Sequence, residues 1–222
     1  MKHLLITGFD PFGGETVNPS WEAVSRLPDT IGPYRLTKLQ IPTVFSAAAD
    51  AVLAAAENVD VILCVGQAGG RDAVTPERIA VNVASASIPD NAGNQPVETP
   101  ILPGGPDGIF ATVPVAAMAR AISEAGLPGK ISNTAGTFVC NDTLYRLLAH
   151  FAGTRTRVGF IHVPHLPTQA RAGGPSMELD AIIAALTAYA LEIPLEDILK
   201  ANLAKLKERY PDGFSRDASV NR

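Results

Sequence analysis

Short apolar runs alternate with stretches of helical period along most of this chain. That alternation predicts βαβ units around a mostly parallel sheet. The first run is His3 to Thr7. A turn-rich stretch, Gly8 to Gly14, separates it from Asn18-Pro19, which reads as the N-cap and first residue of a helix carrying Trp21, Val24 and Leu27. A second strand is expected near Tyr34 to Ile41, then an alanine-rich helix from about Thr43 to Glu57, favourable on propensity alone. Asp60 to Gly66 is almost continuously apolar, the pattern of a central strand covered on both faces. A further strand is expected near Arg78 to Val83.

From Ser85 to Gly108 the pattern breaks. Pro89, Pro96, Pro100, Pro103 and Pro106, with Gly93, Gly104, Gly105 and Gly108, predict one long irregular loop of the kind that serves function in compact domains. Regular elements resume with a helix near Pro114 to Glu124 and a strand near Lys130 to Asn133. A helix opening around Phe138 to Cys140 then runs to about His150, and a strand covers Arg157 to Val163. Pro175-Ser176 opens a helix ending near Ala190. Beyond it, Leu195, Ile198, Leu199, Leu203 and Leu206 recur at helical spacing before a polar tail from Tyr210, and that apolar face must dock on the domain or on another subunit. With no repeat, low-complexity tract or linker, residues 1–222 read as a single α/β domain, long enough to bury a full core.

Composition removes several function classes. The net charge is −4 and no run of Lys or Arg forms a stripe, so a nucleic-acid partner is not expected. No apolar stretch approaches the ~20 residues that span a bilayer, and Leu4-Leu5-Ile6 is far shorter than the ~7–15 residues of a signal-peptide core. Two cysteines, Cys64 and Cys140, make no disulfide framework, which suits a reducing, cytoplasmic setting. No His/Cys cluster has zinc spacing, so no metal is expected.

The two cysteines have opposite surroundings. Cys64 lies inside the apolar run Val61 to Val65, where burial raises a thiol pKa and leaves it inert. Cys140 follows Ala135-Gly136-Thr137 and precedes Leu144, Leu147 and Leu148 at helical spacing. It thus falls in the first turn of a helix, where free N–H groups and the helix dipole favour a thiolate and can receive an oxyanion. The plain alternative is a small side chain packed on the sheet. A thiol hydrolase needs a base, and His162, at the carboxyl end of a predicted strand, is favoured over His165 in the loop beyond. Glu77 is a candidate to orient the histidine, or else a surface acid paired with Arg71 or Arg78. The glycine-rich stretches Gly8 to Gly14 and Gly66 to Gly70 lack a P-loop or dinucleotide fingerprint.

Three separated segments carry a family resemblance. They are Thr7 to Gly14 with Asn18-Pro19-Ser20; Gly66 to Asn82 continuing through Ile88-Pro89-Asp90-Asn91 and Gly93 to Pro96; and Ala135 to Asn141 with Phe160 to Pro164. Together they resemble the type I pyroglutamyl peptidases, or pyrrolidone carboxyl peptidases. The resemblance implies a three-layer αβα fold around a twisted sheet, no cofactor, and often a homotetramer. It implies cysteine-type removal of an N-terminal pyroglutamyl residue from peptides, with Cys140 as nucleophile, His162 as base and Glu77 as orienting acid. It puts the pyroglutamyl ring near Phe9, Phe12 and Phe138, with Gln67 and Asn18 contributing to the substrate site. A thiol amidohydrolase acting on another small lactam, or a non-catalytic binding homologue, would use the same scaffold. Two positions depart from the family pattern: Ser87, where a basic residue is expected, and His165, where a bulky or aromatic one is. Residues from about 195 onward lie outside the strong match.

Overall fold

A computed structural model describes residues 1–170, 173–188 and 190. Its elements are β1 (Lys2–Phe9), α1 (Pro19–Ser25), β2 (Thr30–Ile31), β3 (Tyr34–Ile41), α2 (Ala47–Ala55), β4 (Val61–Gln67), β5 (Thr75–Pro76), β6 (Ile79–Val81), β7 (Gly108–Phe110), α3 (Val115–Glu124), α4 (Val139–His150) and β8 (Arg157–Val163). Residues 179–188 are helical as well. The main sheet runs β2-β3-β1-β4-β8-β5 among the described residues. Its four central strands are parallel, and the two-residue strands β2 and β5 close its edges antiparallel. β6 and β7 form a separate antiparallel pair.

Strand alternation sorts the side chains into two cores. Leu4, Ile6, Leu63, Val65, Ile161 and Val163 face one way, against Val24 of α1, Met118 and Ile122 of α3, and Ile182 and Leu186 of the 179–188 helix. Leu5, Phe9, Ile62, Cys64, Val158 and Phe160 face the other way, against Val52 of α2 and Leu144, Leu147 and Leu148 of α4. Helices therefore cover both faces, which gives the expected three-layer αβα arrangement. Phe9, Gln67 and His162 all lie at the carboxyl ends of parallel strands, where such sheets open a crevice.

Asn18 caps α1 as expected, with Oδ1 accepting from the Ser20 N–H and Pro19 at the first helical position. Three boundaries differ. The alanine-rich helix begins at Ala47 rather than near Thr43. The N–H groups of Thr43, Phe45 and Ser46 instead donate to the carboxylates of Asp10, Asp90 and Asp142, and Ser46 sits at φ +63°. The stretch expected as a strand at Lys130 to Asn133 makes only isolated bridges, Gly129 with Val74 and Ser132 with Glu77. The helix expected to open at Pro175 starts at 179, and the predicted segment from Leu195 to the tail lies outside the described residues.

The long loop is irregular, as expected, but thoroughly fastened. Buried Asp90 accepts from the N–H groups of Phe45, Ala92 and Asn94 and from the Asn94 side chain. Burial raises the Asp90 carboxyl, but these bonds outweigh it and hold the group below its usual range. Asn82 bonds Leu102 and Gly105 at the loop's far end. Ser85 and Thr137 exchange two bonds, tying the loop to the segment that leads into α4.

Candidate active site

Cys140 is the second residue of α4, behind an extended Phe138 at the N-cap, and no side chain caps the first turn. The helix begins abruptly because Gly136 takes φ +77°, a turn that a residue with a Cβ rarely adopts. The sulfur lies over Gly66 at the end of β4, so close that a Cβ there would sit 2.9 Å from Sγ. Gly66 is also the Cα partner of His162 on the neighbouring strand. Cys140, from α4, and His162, from β8, therefore both stand beside Gly66.

His162 is 4% exposed and its Nδ1 lies 2.7 Å from Glu77 Oε1. A carboxylate only accepts, so Nδ1 carries the proton and Nε2 is left as the basic nitrogen. Glu77 is fully buried rather than a surface acid. Its N–H donates to the Phe160 carbonyl at 2.9 Å, which sets it beside β8. Arg71 does pair with it: Nη1 reaches the same Oε1 at 2.7 Å and also bonds Thr75 Oγ1, while Nη2 donates to the Thr134 carbonyl at 3.3 Å. One carboxylate oxygen thus takes both donors, and Oε2 has no hydrogen-bond partner among the described residues.

Burial shifts both the thiol and the imidazole. Burial pushes the Cys140 thiol up to about 12, helped by the Glu77 charge, while Arg71 and its own N–H pull it down less strongly. Burial also holds His162 below its usual 6.5, with Glu77 opposing the shift and Arg71 adding to it. Both shifts favour the neutral forms, thiol and imidazole.

Cys140 and His162 open onto a cavity of about 210 Å³. Phe9, Phe12, Phe138, Gln67 and Asn18 all line it, together with Thr43, Ala68, Arg71, Ala135 and Gly136. Phe12 and Phe138 stand with centroids 6.0 Å apart, and Phe45 meets Phe138 edge-on at 5.3 Å. No carboxylate side chain is in this lining. Asp10 is turned away to Thr43 and Asn91, and Glu15 lines a different groove with His165 and Gln169. Asn18 is occupied internally, accepting from Ser20 and donating to the Asp10 carbonyl at 2.9 Å, so it shapes the wall. Among the described residues no group of three or more His, Cys, Asp and Glu is arranged to hold a metal.

The profile of the pyroglutamyl peptidase family matches residues 2–196. The chain belongs to the pyroglutamyl peptidase family. A pyrrolidone-carboxylate peptidase of Levilactobacillus brevis is 53% identical over 192 residues, covering 83% of this chain and 94% of that one. The crystal structure of Bacillus amyloliquefaciens pyroglutamyl peptidase I is similar at TM-score 0.84 and 46% identity, covering 87% of this chain and 97% of that one. Pyrrolidone carboxyl peptidase from Thermococcus litoralis reaches the same TM-score at 33% identity, covering 91% and 96%.

Within this family fold, several site residues escaped sequence reasoning. Arg71 was visible only as a possible partner of Glu77, and nothing in its spacing shows that it also lines the cavity. Buried Asn141 clamps β6, bonding the N–H and C=O of Val81 and the C=O of Val83. Gln169 accepts from the Leu166 N–H and donates to Val17 and Gln67, each more than a hundred residues away in sequence. His165 packs on Gly69, just outside the cavity. Ser87 is exposed in a neighbouring groove.

Proposed function

We propose that this chain hydrolyses the amide bond after an N-terminal pyroglutamyl residue, with Cys140 as nucleophile, His162 as general base and acid, and Glu77 as the group that orients it. The observation that carries the reading is the cavity beside Cys140 and His162: aromatic-walled and free of carboxylate side chains. Pyroglutamate is a flat, uncharged lactam, which such a slot accepts. A free α-amine is cationic and finds no unpaired counter-charge there, since the charged lining side chain, Arg71, is already paired with Glu77.

The chemistry follows from the resting state. His162 Nε2 takes the thiol proton as Sγ bonds to the pyroglutamyl carbonyl carbon, so the thiolate exists only as attack proceeds. The oxyanion is met by uncapped N–H groups at the start of α4. As the C–N bond breaks, Nε2–H protonates the departing amine and a thioester remains. Water then attacks, giving its proton to Nε2, and pyroglutamate leaves as the thiol is restored. Glu77 stabilises the imidazolium formed in each step, and Arg71 holds Glu77.

In the same reading, residues 1–222 act as one peptidase domain without a cofactor, in the cytoplasm, where the free thiols of Cys64 and Cys140 stay reduced. The assembly is a homotetramer, as the family resemblance implies, and light scattering of the purified chain measures it. The activity is tested by amine release from pyroglutamyl, alanyl and prolyl amides, with and without prior thiol alkylation. Selective turnover of the pyroglutamyl amide, lost on alkylation, is expected. Equal turnover of the alanyl amide would overturn the reading.

A further inference from the structure

The walls of the pyroglutamyl cavity do not end at the cavity. On one side Ala68 continues into Gly69, and on the other Gly136 and Phe138 flank Thr137. Gly69, Thr137 and Phe138 are themselves lining residues of a larger groove of about 770 Å³, completed by the long loop at Ser85 to Ile88 and at Val97. Phe138 belongs to both spaces and stands two residues before Cys140. A substrate whose ring fills the inner cavity and whose carbonyl meets Cys140 must send its remaining chain outward, and this groove begins at that point.

We propose that the groove formed by Gly69, Ser87, Ile88, Val97, Thr137 and Phe138 binds the leaving peptide and selects an uncharged side chain at the residue following pyroglutamate. The inference rests on the pyroglutamyl reading given above and specifies its other half. No lining residue of this groove is ionisable. Ile88 and Val97 present apolar surface, 42% and 73% exposed. A charged side chain lying there would lose hydration without meeting a partner, whereas an aliphatic or aromatic one would cover exposed apolar area. The loop is held in place by Asp90 and by the Ser85–Thr137 bonds, so this wall is built before substrate arrives.

A competing route is the groove of Glu15, His165 and Gln169, which shares no lining residue with the pyroglutamyl cavity and would favour a cationic side chain through Glu15. The test measures kcat/KM of the full chain on pyroglutamyl-Leu, pyroglutamyl-Lys and pyroglutamyl-Glu amides. Leu is expected to lead. Val97→Glu and, separately, Ser87→Glu change exposed positions, so folding is not at stake. Each is expected to raise the Lys-to-Glu ratio about tenfold over the unmodified chain, an effect that shrinks at 1 M salt. Glu15→Gln is expected to leave that ratio where it was. A ratio that moves with Glu15→Gln and not with the two groove variants would send the leaving peptide along the polar groove and overturn the inference. A ratio unmoved by any of the three would put that residue in solvent, which also overturns it. In both cases pyroglutamyl cleavage persists; absence of cleavage of every pyroglutamyl amide by folded, reduced protein would instead remove the underlying reading.

Discussion

Cys64 of β4 and Cys140 of α4 belong to the core on the same side of the sheet, and burial pushes each thiol up to about 12. Gly66, over which the Cys140 sulfur sits, is one strand repeat beyond Cys64 along β4, about 6.6 Å. The direction of the shift therefore does not distinguish the two sulfurs. What differs is that Cys140 opens onto a cavity that His162 also lines and stands in the first turn of a helix with no side-chain cap, while Cys64 is buried in the cluster of Leu5, Ile62 and Phe160. A nucleophile in this fold is defined by access, a base and an oxyanion site. The resting ionisation of the thiol comes second.

The largest effect breaks the comparison outright. Cys140→Ala is expected to lower kcat on a pyroglutamyl amide by about 10⁵-fold or more. Its thermal midpoint should stay close to that of the unmodified chain, since the sulfur borders open space. Retained activity would show that the sulfur at position 140 is as idle as the one at 64.

A step smaller is the loss of the base's orientation, which should make Cys140 resemble Cys64. Glu77→Gln lets an amide donate to Nδ1, which places the imidazole proton on Nε2 and removes the base; kcat is expected to fall about 10³- to 10⁴-fold. Arg71→Ala acts through Glu77, costing roughly 10- to 100-fold, the equivalent of a charged hydrogen bond of about 1.5–3 kcal/mol. The pH profile separates this from a general loss of structure. Burial, then Arg71, holds His162 below 6.5, so the acid limb of kcat/KM lies below that value in the unmodified chain. Without Arg71 the histidine is easier to protonate and the limb moves to higher pH; Arg71→Lys should restore part of the shift. An acid limb fixed in place would leave Arg71 a purely structural residue.

Much of this contrast was legible in the sequence. The unbroken apolar run around Cys64 marked a central strand, and Gly136 before Cys140 with leucines after it marked a helix start. Strand parity also carried information: Val158, Phe160 and His162 alternate onto the face covered by α4, whereas His165 lies past the strand's end against Gly69. What stayed hidden depends on contacts far apart in the chain. The late start of α2 reflects carboxylates at positions 10, 90 and 142 capturing three N–H groups. The rise of the Cys140 thiol reflects burial that no local pattern reports. The Lys130 to Asn133 stretch has one apolar residue, Ile131, and the bridges beside it, Gly129 with Val74 and Ser132 with Glu77, stay isolated, so no continuous ladder forms.

The smallest effect sharpens the comparison from the other side. Cys64→Ala removes one heavy atom from a fully buried position between parallel strands, leaving a small void among Leu5, Ile62 and Phe160. By analogy with deleting a single buried methyl group, stability should fall by about 0.5–1.5 kcal/mol in urea unfolding. Turnover of a pyroglutamyl amide should stay within about twofold, because Cys64 is absent from the cavity lining and His162 keeps its bond to Glu77. The same variant settles which sulfur reacts: alkylation of the folded Cys64→Ala chain should still go to one thiol per chain and abolish activity. Because burial keeps that thiol protonated, the rate of modification should climb with pH across the neutral range. A rate already at its plateau below pH 7 would mean that the Cys140–His162 pair rests as thiolate and imidazolium, and the two sulfurs would then differ in acidity after all.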